Sequence, residues 1–158
     1  MSLKEIDIID KIKTFTSVSG LGDDCYINEL DKDTVQLIST DMLVEGNHFL
    51  KDFKKYELIG QKAITVNVSD IYACGGMPTK VFVSLALPHD FNKQEINALY
   101  QGFDEACLYF DVQINGGDVT STNGPFVINI TVLGYAKKDN VKMRNAAHLG
   151  DQIFVTGL

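Results

Sequence analysis

The sequence predicts an α+β domain, with a mainly antiparallel or mixed sheet and two long helices packed on it, and three observations carry that prediction. Residues 125–135 alternate with the two-residue period of a strand, Phe126, Ile128, Ile130 and Val132 opposing Val127, Asn129, Thr131 and Leu133. Two stretches of helical length, from Tyr56 to Cys74 and from Asn92 to about Phe110, carry apolar residues at three- and four-residue spacing. Around them lie short runs of strand character, two of them separated by a connector of hairpin length.

Taken in order, Ser2 and Glu5 are spaced as a capping box, and Leu3, Ile6, Ile9 and Ile12 follow at helical spacing, which predicts a short N-terminal helix. Met1-Ser2-Leu3 reads equally as a cloning remnant, which would make the cap accidental. After the loop from Gly20 to Asp24, the runs Tyr26 to Leu30 and Thr34 to Ser39 flank the polar connector Asp31-Lys32-Asp33, with Val35 and Leu37 facing one way and Gln36 and Ile38 the other. The segment from Tyr56 to Cys74 places Ile59, Ala63, Val66, Asp70 and Cys74 near one stripe and ends at Gly75-Gly76 and Pro78. Its Ile64-Thr65-Val66-Asn67-Val68 centre is rich in β-branched residues, and length decides for a helix. Lys80 to Leu87 reads as a buried strand, and Asn92 with Glu95 opens the second long helix. Val112 to Ile114 is a brief strand before a Gly116-Gly117 turn, and Asp151 to Gly157 starts a last strand, so that more chain is expected to follow.

With 158 residues and 45% hydrophobic content, residues 1–158 are expected to fold as a single domain with a real core. Fourteen basic against 21 acidic residues leave a net charge of −7, which argues against a nucleic-acid surface and against an anionic membrane as partner. No run approaches the roughly 20 apolar residues of a membrane span and no apolar signal core opens the chain, so a cytoplasmic protein is expected. Cys25, Cys74 and Cys107 are odd in number and far apart in sequence, and read as buried free thiols rather than a disulfide framework or a zinc site.

The chemistry lies in four acidic motifs: Gly22-Asp23-Asp24, Ser39-Thr40-Asp41, Asn67-Val68-Ser69-Asp70 and Gly116-Gly117-Asp118. Singly, a Gly-Asp pair is ordinary turn chemistry. Gathered by one sheet, the carboxylates repel: unit charges about 4 Å apart interact by roughly 1 kcal/mol in water and roughly 4 kcal/mol at a protein surface. Such a group calls for hard cations such as Mg²⁺, which take oxygen ligands and are commonly shared with substrate phosphates. Gly116-Gly117 suits either a close backbone approach to phosphate or a plain hairpin turn. Asn67 and Asp70, three apart, share a helical face, either toward one ligand or as a buried polar pair bonded to backbone. Arg144 is the only arginine among the 14 basic residues. Its guanidinium suits bidentate phosphate contact, although a lysine-rich composition would also leave it alone. His48 reads on spacing as a loop residue, and His89 and His148 as surface residues. Neither a P-loop nor a protein-kinase glycine loop or catalytic loop is present.

Five strings, taken together, resemble thiamine-monophosphate kinase, of the superfamily that also holds aminoimidazole ribonucleotide synthetase and selenophosphate synthetase. They are Gly20-Leu21-Gly22-Asp23-Asp24-Cys25, the eleven residues from Ser39 to Phe49, Ala63 to Ile71, Gly116-Gly117-Asp118, and Arg144 with Gly150-Asp151. The resemblance implies ATP-dependent phosphorylation of thiamine monophosphate to thiamine diphosphate. It implies that Asp24, Ser39, Thr40, Asp41, Asp70 and Asp118 ligate several Mg²⁺ ions, that Gly117, Asp118 and Arg144 bind ATP, and that His48 meets the thiamine substrate. It further implies a homodimer formed through the sheet, and a second domain that this chain lacks, so the chain resembles the N-terminal half and full turnover by it alone is not expected. Where the family usually has serine-glycine after the arginine, Asn145-Ala146 stands here.

In the reaction that the resemblance implies, the substrate phosphate is already anionic near neutral pH, so catalysis is expected to rest on positioning and metal ions, with no catalytic base and no phosphoenzyme. Within the superfamily, selenophosphate synthetase usually carries a reactive cysteine before its glycine-rich loop, and none precedes Cys25 here. Aminoimidazole ribonucleotide synthetase resembles a Thr-Asp-Gly-Val-Gly-Thr-Lys pattern where this chain reads Thr40-Asp41-Met42-Leu43-Val44-Glu45. The alternative from another class is a non-catalytic dimerisation or metal-binding module whose acidic turns take Ca²⁺ or nothing.

Overall fold

The computed structural model describes residues 4–155. Its elements are α1 (Glu5–Ile12), β1 (Tyr26–Glu29), β2 (Thr34–Val44), α2 (Tyr56–Ala73), β3 (Met77–Pro88), α3 (Lys93–Phe110), β4 (Gln113–Thr122), β5 (Val127–Lys137) and a 3-10 turn, Lys138–Asn140. The five strands form one mixed sheet in the order β1-β2-β5-β3-β4. All neighbours are antiparallel except β3 and β4, which run parallel because α3 connects them as a crossover. The expected α+β class is therefore the observed one.

Side-chain alternation builds the core. Val35, Leu37, Ser39 and Leu43 of β2, Val81, Val83 and Leu85 of β3, and Ile128, Ile130 and Val132 of β5 are buried, and α2 packs against all three strands. The hairpin forms as expected, with Tyr26 paired to Ile38 and Glu29 to Val35, and Asp31 Oδ1 accepts the N–H groups of Asp33 and Thr34, each at 2.8 Å. Asn92 caps α3 by accepting from Gln94 and Glu95 N–H, while Glu95 accepts from Asn92 N–H at 2.9 Å.

The differences have physical causes. The Ser2 cap lies outside the described residues; α1 opens at Lys4, whose N–H donates to Asp7 Oδ2 at 3.2 Å. β2 does not end at Ser39 but runs to Val44, since β5 pairs with it along its whole length. The buried face of α2 is wider than the expected stripe, taking in Ile64, Asn67, Val68 and Ile71, because sheet and α3 both cover it. Val66 and Asp70 are only half-buried at its margin. Gly116-Gly117 is no turn: both lie inside β4, next to a bulge opposite Val81/Phe82. Gly117 has φ +152°, and a Cβ there would overlap the Val83 carbonyl, so glycine is what lets the parallel strands meet. Residues 151–155 form no strand, and Ile153, Phe154 and Val155 stand exposed without a sheet partner.

α2 and α3 touch backbone to backbone. A Cβ on Gly102 would overlap the Glu57 carbonyl, and one on Gly60 the Leu99 carbonyl. Gly102→Ala is therefore expected to push the helices apart and to cost about 1–3 kcal/mol. Urea unfolding of this variant beside Gly46→Ala, whose added methyl meets nothing within 4 Å, would separate helix packing from backbone strain.

Candidate metal and phosphate site

Two hydrogen bonds tie β2 to α2 just beyond Ile38, the last residue that β1 pairs with. Ser39 is buried and its Oγ–H donates to Asp70 Oδ2 at 2.6 Å. Two residues on, the Asp41 N–H donates to Asn67 Oδ1 at 2.9 Å. Asn67 is fully buried and its Nδ2 donates to Ala63 O at 2.9 Å, so its amide is committed to backbone. Of the two readings the spacing left open for Asn67, the structure selects the buried polar partner, and that partner sets the backbone beneath the exposed Asp41 carboxylate.

A third element comes from the loop before β1. The Cys25 thiol donates to Asp70 O at 3.3 Å, which pins this loop against the end of α2. Ligand atoms of Asp23, Asp24 and Cys74 then lie within 4.8 Å of one another. Burial pushes the Cys25 and Cys74 thiols up from their ordinary values, so both are protonated at neutral pH. All three cysteines are free and buried, as expected.

The fourth element arrives from beyond β5. The Arg144 guanidinium pairs with Asp24, and its main-chain N–H donates to Asp23 Oδ2 at 2.9 Å. Burial raises the Asp70 carboxyl above its ordinary value and the charges of Asp41 and Asp24 add to that, while the Ser39 hydroxyl and Arg144 act against it. The site thus holds more negative charge than its one arginine offsets. Its carboxylate and hydroxyl oxygens are the donor set that hard divalent cations take.

The structure brings Asp24, Ser39, Asp41, Asp70 and Arg144 together, and leaves other expected residues apart. Thr40 points its hydroxyl to the opposite face of the sheet, 3.0 Å from Thr131 Oγ1 and 3.2 Å from Asn129 Nδ2. Asp118 pairs with Ser84, Ser84 with Asn129, and Asn129 with Met42. Three strand spacings, about 14 Å, therefore separate the backbone at Asp118 and Gly117 from β2. His48 lies in the turn after β2, its Nδ1 accepting the Val44 N–H at 2.9 Å. His89 and His148 are exposed, as expected. The sequence offered a signal for the role of Asn67, an amide set among Ala63, Ile64, Val68 and Ile71. It offered none for Cys74 lying beside Asp23 and Asp24.

The family "AIR synthase related protein, N-terminal domain" matches residues 22–136. The chain belongs to this family. It is 36% identical over 160 residues to the thiamine-monophosphate kinase of Bacillus subtilis, covering 98% of this chain and 49% of that protein. The thiamine-monophosphate kinase of Aquifex aeolicus is likewise 36% identical, over 155 residues, with 98% and 49% covered. A solved structure of AaThiL complexed with AMPPCP and TMP superposes with a TM-score of 0.87 at 34% identity, over 96% of this chain and 48% of that one. The chain spans about half the length of the curated relatives it matches.

Two outcomes follow from the geometry. Ionised Asp70 carries its burial cost in the folded chain, and that cost fades as pH falls through its raised folded value. Asp70→Asn, whose amide oxygen still accepts from Ser39, is expected to raise the melting temperature at pH 7 in chelator, with the gain shrinking toward about pH 4, as thermal unfolding would show. Asn67→Ala removes the partner of the Asp41 N–H and is expected to cost about 1–3 kcal/mol in urea unfolding.

Proposed function

We propose that this chain is the metal- and phosphate-binding N-terminal half of an ATP-dependent thiamine-phosphate kinase, a phosphotransferase that converts thiamine monophosphate to thiamine diphosphate. The observation that carries the reading is the convergence of Asp24, Asp41 and Asp70 from three elements, with Arg144 paired to Asp24 among them. Membership of the family and the likeness to a relative complexed with AMPPCP and TMP support it.

In this reading Asp24, Ser39, Asp41 and Asp70 hold Mg²⁺ on the helix side of the sheet, and Thr40 and Asp118 are metal ligands on its open side. Bound there, Mg²⁺ supplies neutralisation of the charge that redistributes as a phosphoryl group moves. Gly117 and Asp118 face the ATP phosphates, Arg144 exchanges Asp24 for nucleotide, and His48 faces the thiamine substrate. The acceptor phosphate is itself the nucleophile, so the residues position and neutralise rather than abstract a proton.

The distance of Asp118 from β2 gives the proposed homodimer a chemical purpose. Thr40, Asn129, Ser84 and Asp118 lie along the sheet rows opposite the helices, where Met42 and Tyr135 are also exposed. A second copy docked on that face would bring its Asp118 toward Thr40, on the side of β2 opposite Asp41. Among the described residues no helix is long and apolar enough to cross a membrane, and we assign the protein to the cytoplasm, with no nucleic-acid or membrane partner. The isolated half is expected to bind nucleotide but to turn over weakly or not at all.

Calorimetric titration of a non-hydrolysable ATP analogue, with Mg²⁺ and then with chelator, tests the reading. Binding that requires Mg²⁺ is the expected result, and Asp41→Lys is expected to abolish it while leaving the circular dichroism spectrum unchanged. Equal effects of Ca²⁺ and Mg²⁺ without nucleotide would point instead to a non-catalytic metal-binding or dimerisation module.

A further inference from the structure

The turn that carries His48 is held at many points. Gly46 N–H donates to Phe49 O at 2.8 Å, and the N–H groups of Asn47 and His48 both donate to Val44 O. Phe49 packs edge-on against Phe126, ring centroids 5.7 Å apart. One carbonyl of the turn is held from outside it: the Lys62 ammonium of α2 donates to His48 O at 2.6 Å.

The imidazole is fixed by these same contacts. A backbone N–H has one proton to give, so the Val44 N–H to Nδ1 bond makes Nδ1 the acceptor and places the ring proton on Nε2. The Asn47 amide nitrogen lies 3.4 Å from Nδ1 and 3.3 Å from Nε2, and so favours neither tautomer. His48 is exposed, and Nε2–H is the donor that its ring has left to offer.

Lys62 stands on the same ridge of α2 as Val66 and Asp70, at four-residue steps. Eight residues of helix place it about 12 Å along the axis from Asp70, a span that one small phosphorylated substrate can bridge. It makes no salt bridge among the described residues.

We propose that Lys62 is a positioning residue of the acceptor site: by clamping the His48 carbonyl to α2 it holds the imidazole as an Nε2–H donor, at a fixed distance from the Asp41 and Asp70 cluster, for a hydrogen-bond-accepting atom of the acceptor molecule. The ligand half of this inference rests on the function proposed above, whereas the clamp itself does not. Loss of the clamp frees the turn to pivot about Phe49, and the Val44 to Nδ1 bond lengthens or breaks with it.

The test compares Lys62→Met and Lys62→Arg with the parent chain by nitrogen-15 NMR of the His48 ring, assigned with His48→Gln. The parent should show a single Nε2–H tautomer, Lys62→Met a tautomer average, and Lys62→Arg, which still donates to the carbonyl, the parent spectrum. Thiamine monophosphate added to the parent should shift the ring signals. Lys62→Met should weaken that binding about ten-fold, with Mg²⁺-dependent binding of the ATP analogue unchanged within about two-fold. A ring spectrum unaltered in Lys62→Met would overturn the clamp, and ring signals that ignore thiamine monophosphate would overturn the acceptor role. If the parent binds no ATP analogue with Mg²⁺, the kinase reading fails while the ring spectrum still decides the clamp.

Discussion

The buried amide of Asn67 is the constraint on which the acidic site depends. It spends its donor on the helix carbonyl of Ala63 and its acceptor on the N–H of Asp41. Beyond Ile38, β2 has no β1 partner, so N–H groups on that edge have no strand to pair with, and an unpaired N–H is costly where water is excluded. Asn67 meets that need at one residue, and in doing so registers β2 against α2. The Ser39 to Asp70 bond, two residues earlier on the strand and three later on the helix, is the second stitch of the same seam. Because both stitches lie on the helix-facing side of β2, Asp41 and Asp70 are driven together regardless of their repulsion.

That repulsion is built in by packing rather than relieved by it. The apolar faces of α2, β2, β3 and β5 supply the stabilisation, and the charged rim is carried along at the edge of the core. Raised Asp70 is the visible sign of this, and the Arg144 guanidinium, brought in after the last strand, pairs directly with Asp24 alone. The Mg²⁺ proposed above would offset that cost at the edge where it arises. The same economy explains the glycines: α2 and α3 meet at Gly60 and Gly102, and β4 meets β3 at Gly117, so close approach of backbones, not freedom of loops, is what these positions serve.

Topology then divides the expected site in two. With β5 and β3 standing between β2 and β4, the Asp118 motif cannot reach the Asp41 motif within one sheet, although both follow apolar runs in the sequence. Antiparallel and parallel pairing alike keep paired residues on one face, so Thr40 and Asp118 belong to rows of the open side and Ser39 and Asp41 to the helix side. A single chain therefore presents the two acidic motifs apart, on opposite faces of its sheet.

Much of this was legible in the residues themselves. Alternation at Phe126 to Val132 marked a strand whose one face is core, and the Asn92 and Glu95 pair marked the start of α3, because local hydrogen bonds and side-chain period need no distant partner. The boundaries of β2 and β4 were not legible, since each is extended by a neighbouring strand far away in sequence, and the glycine pair that reads locally as a turn is held straight by β3. Residues 151–155 have the pattern of a strand and no partner to pair with. The sequence by itself determined the element types, the apolar core and the residue kinds that suit hard cations. Only the tertiary structure decided which carboxylates meet, that Asn67 and Lys62 hold backbone, and that Asp118 stands apart, because sheet order and helix packing are set by contacts between segments that no local spacing records.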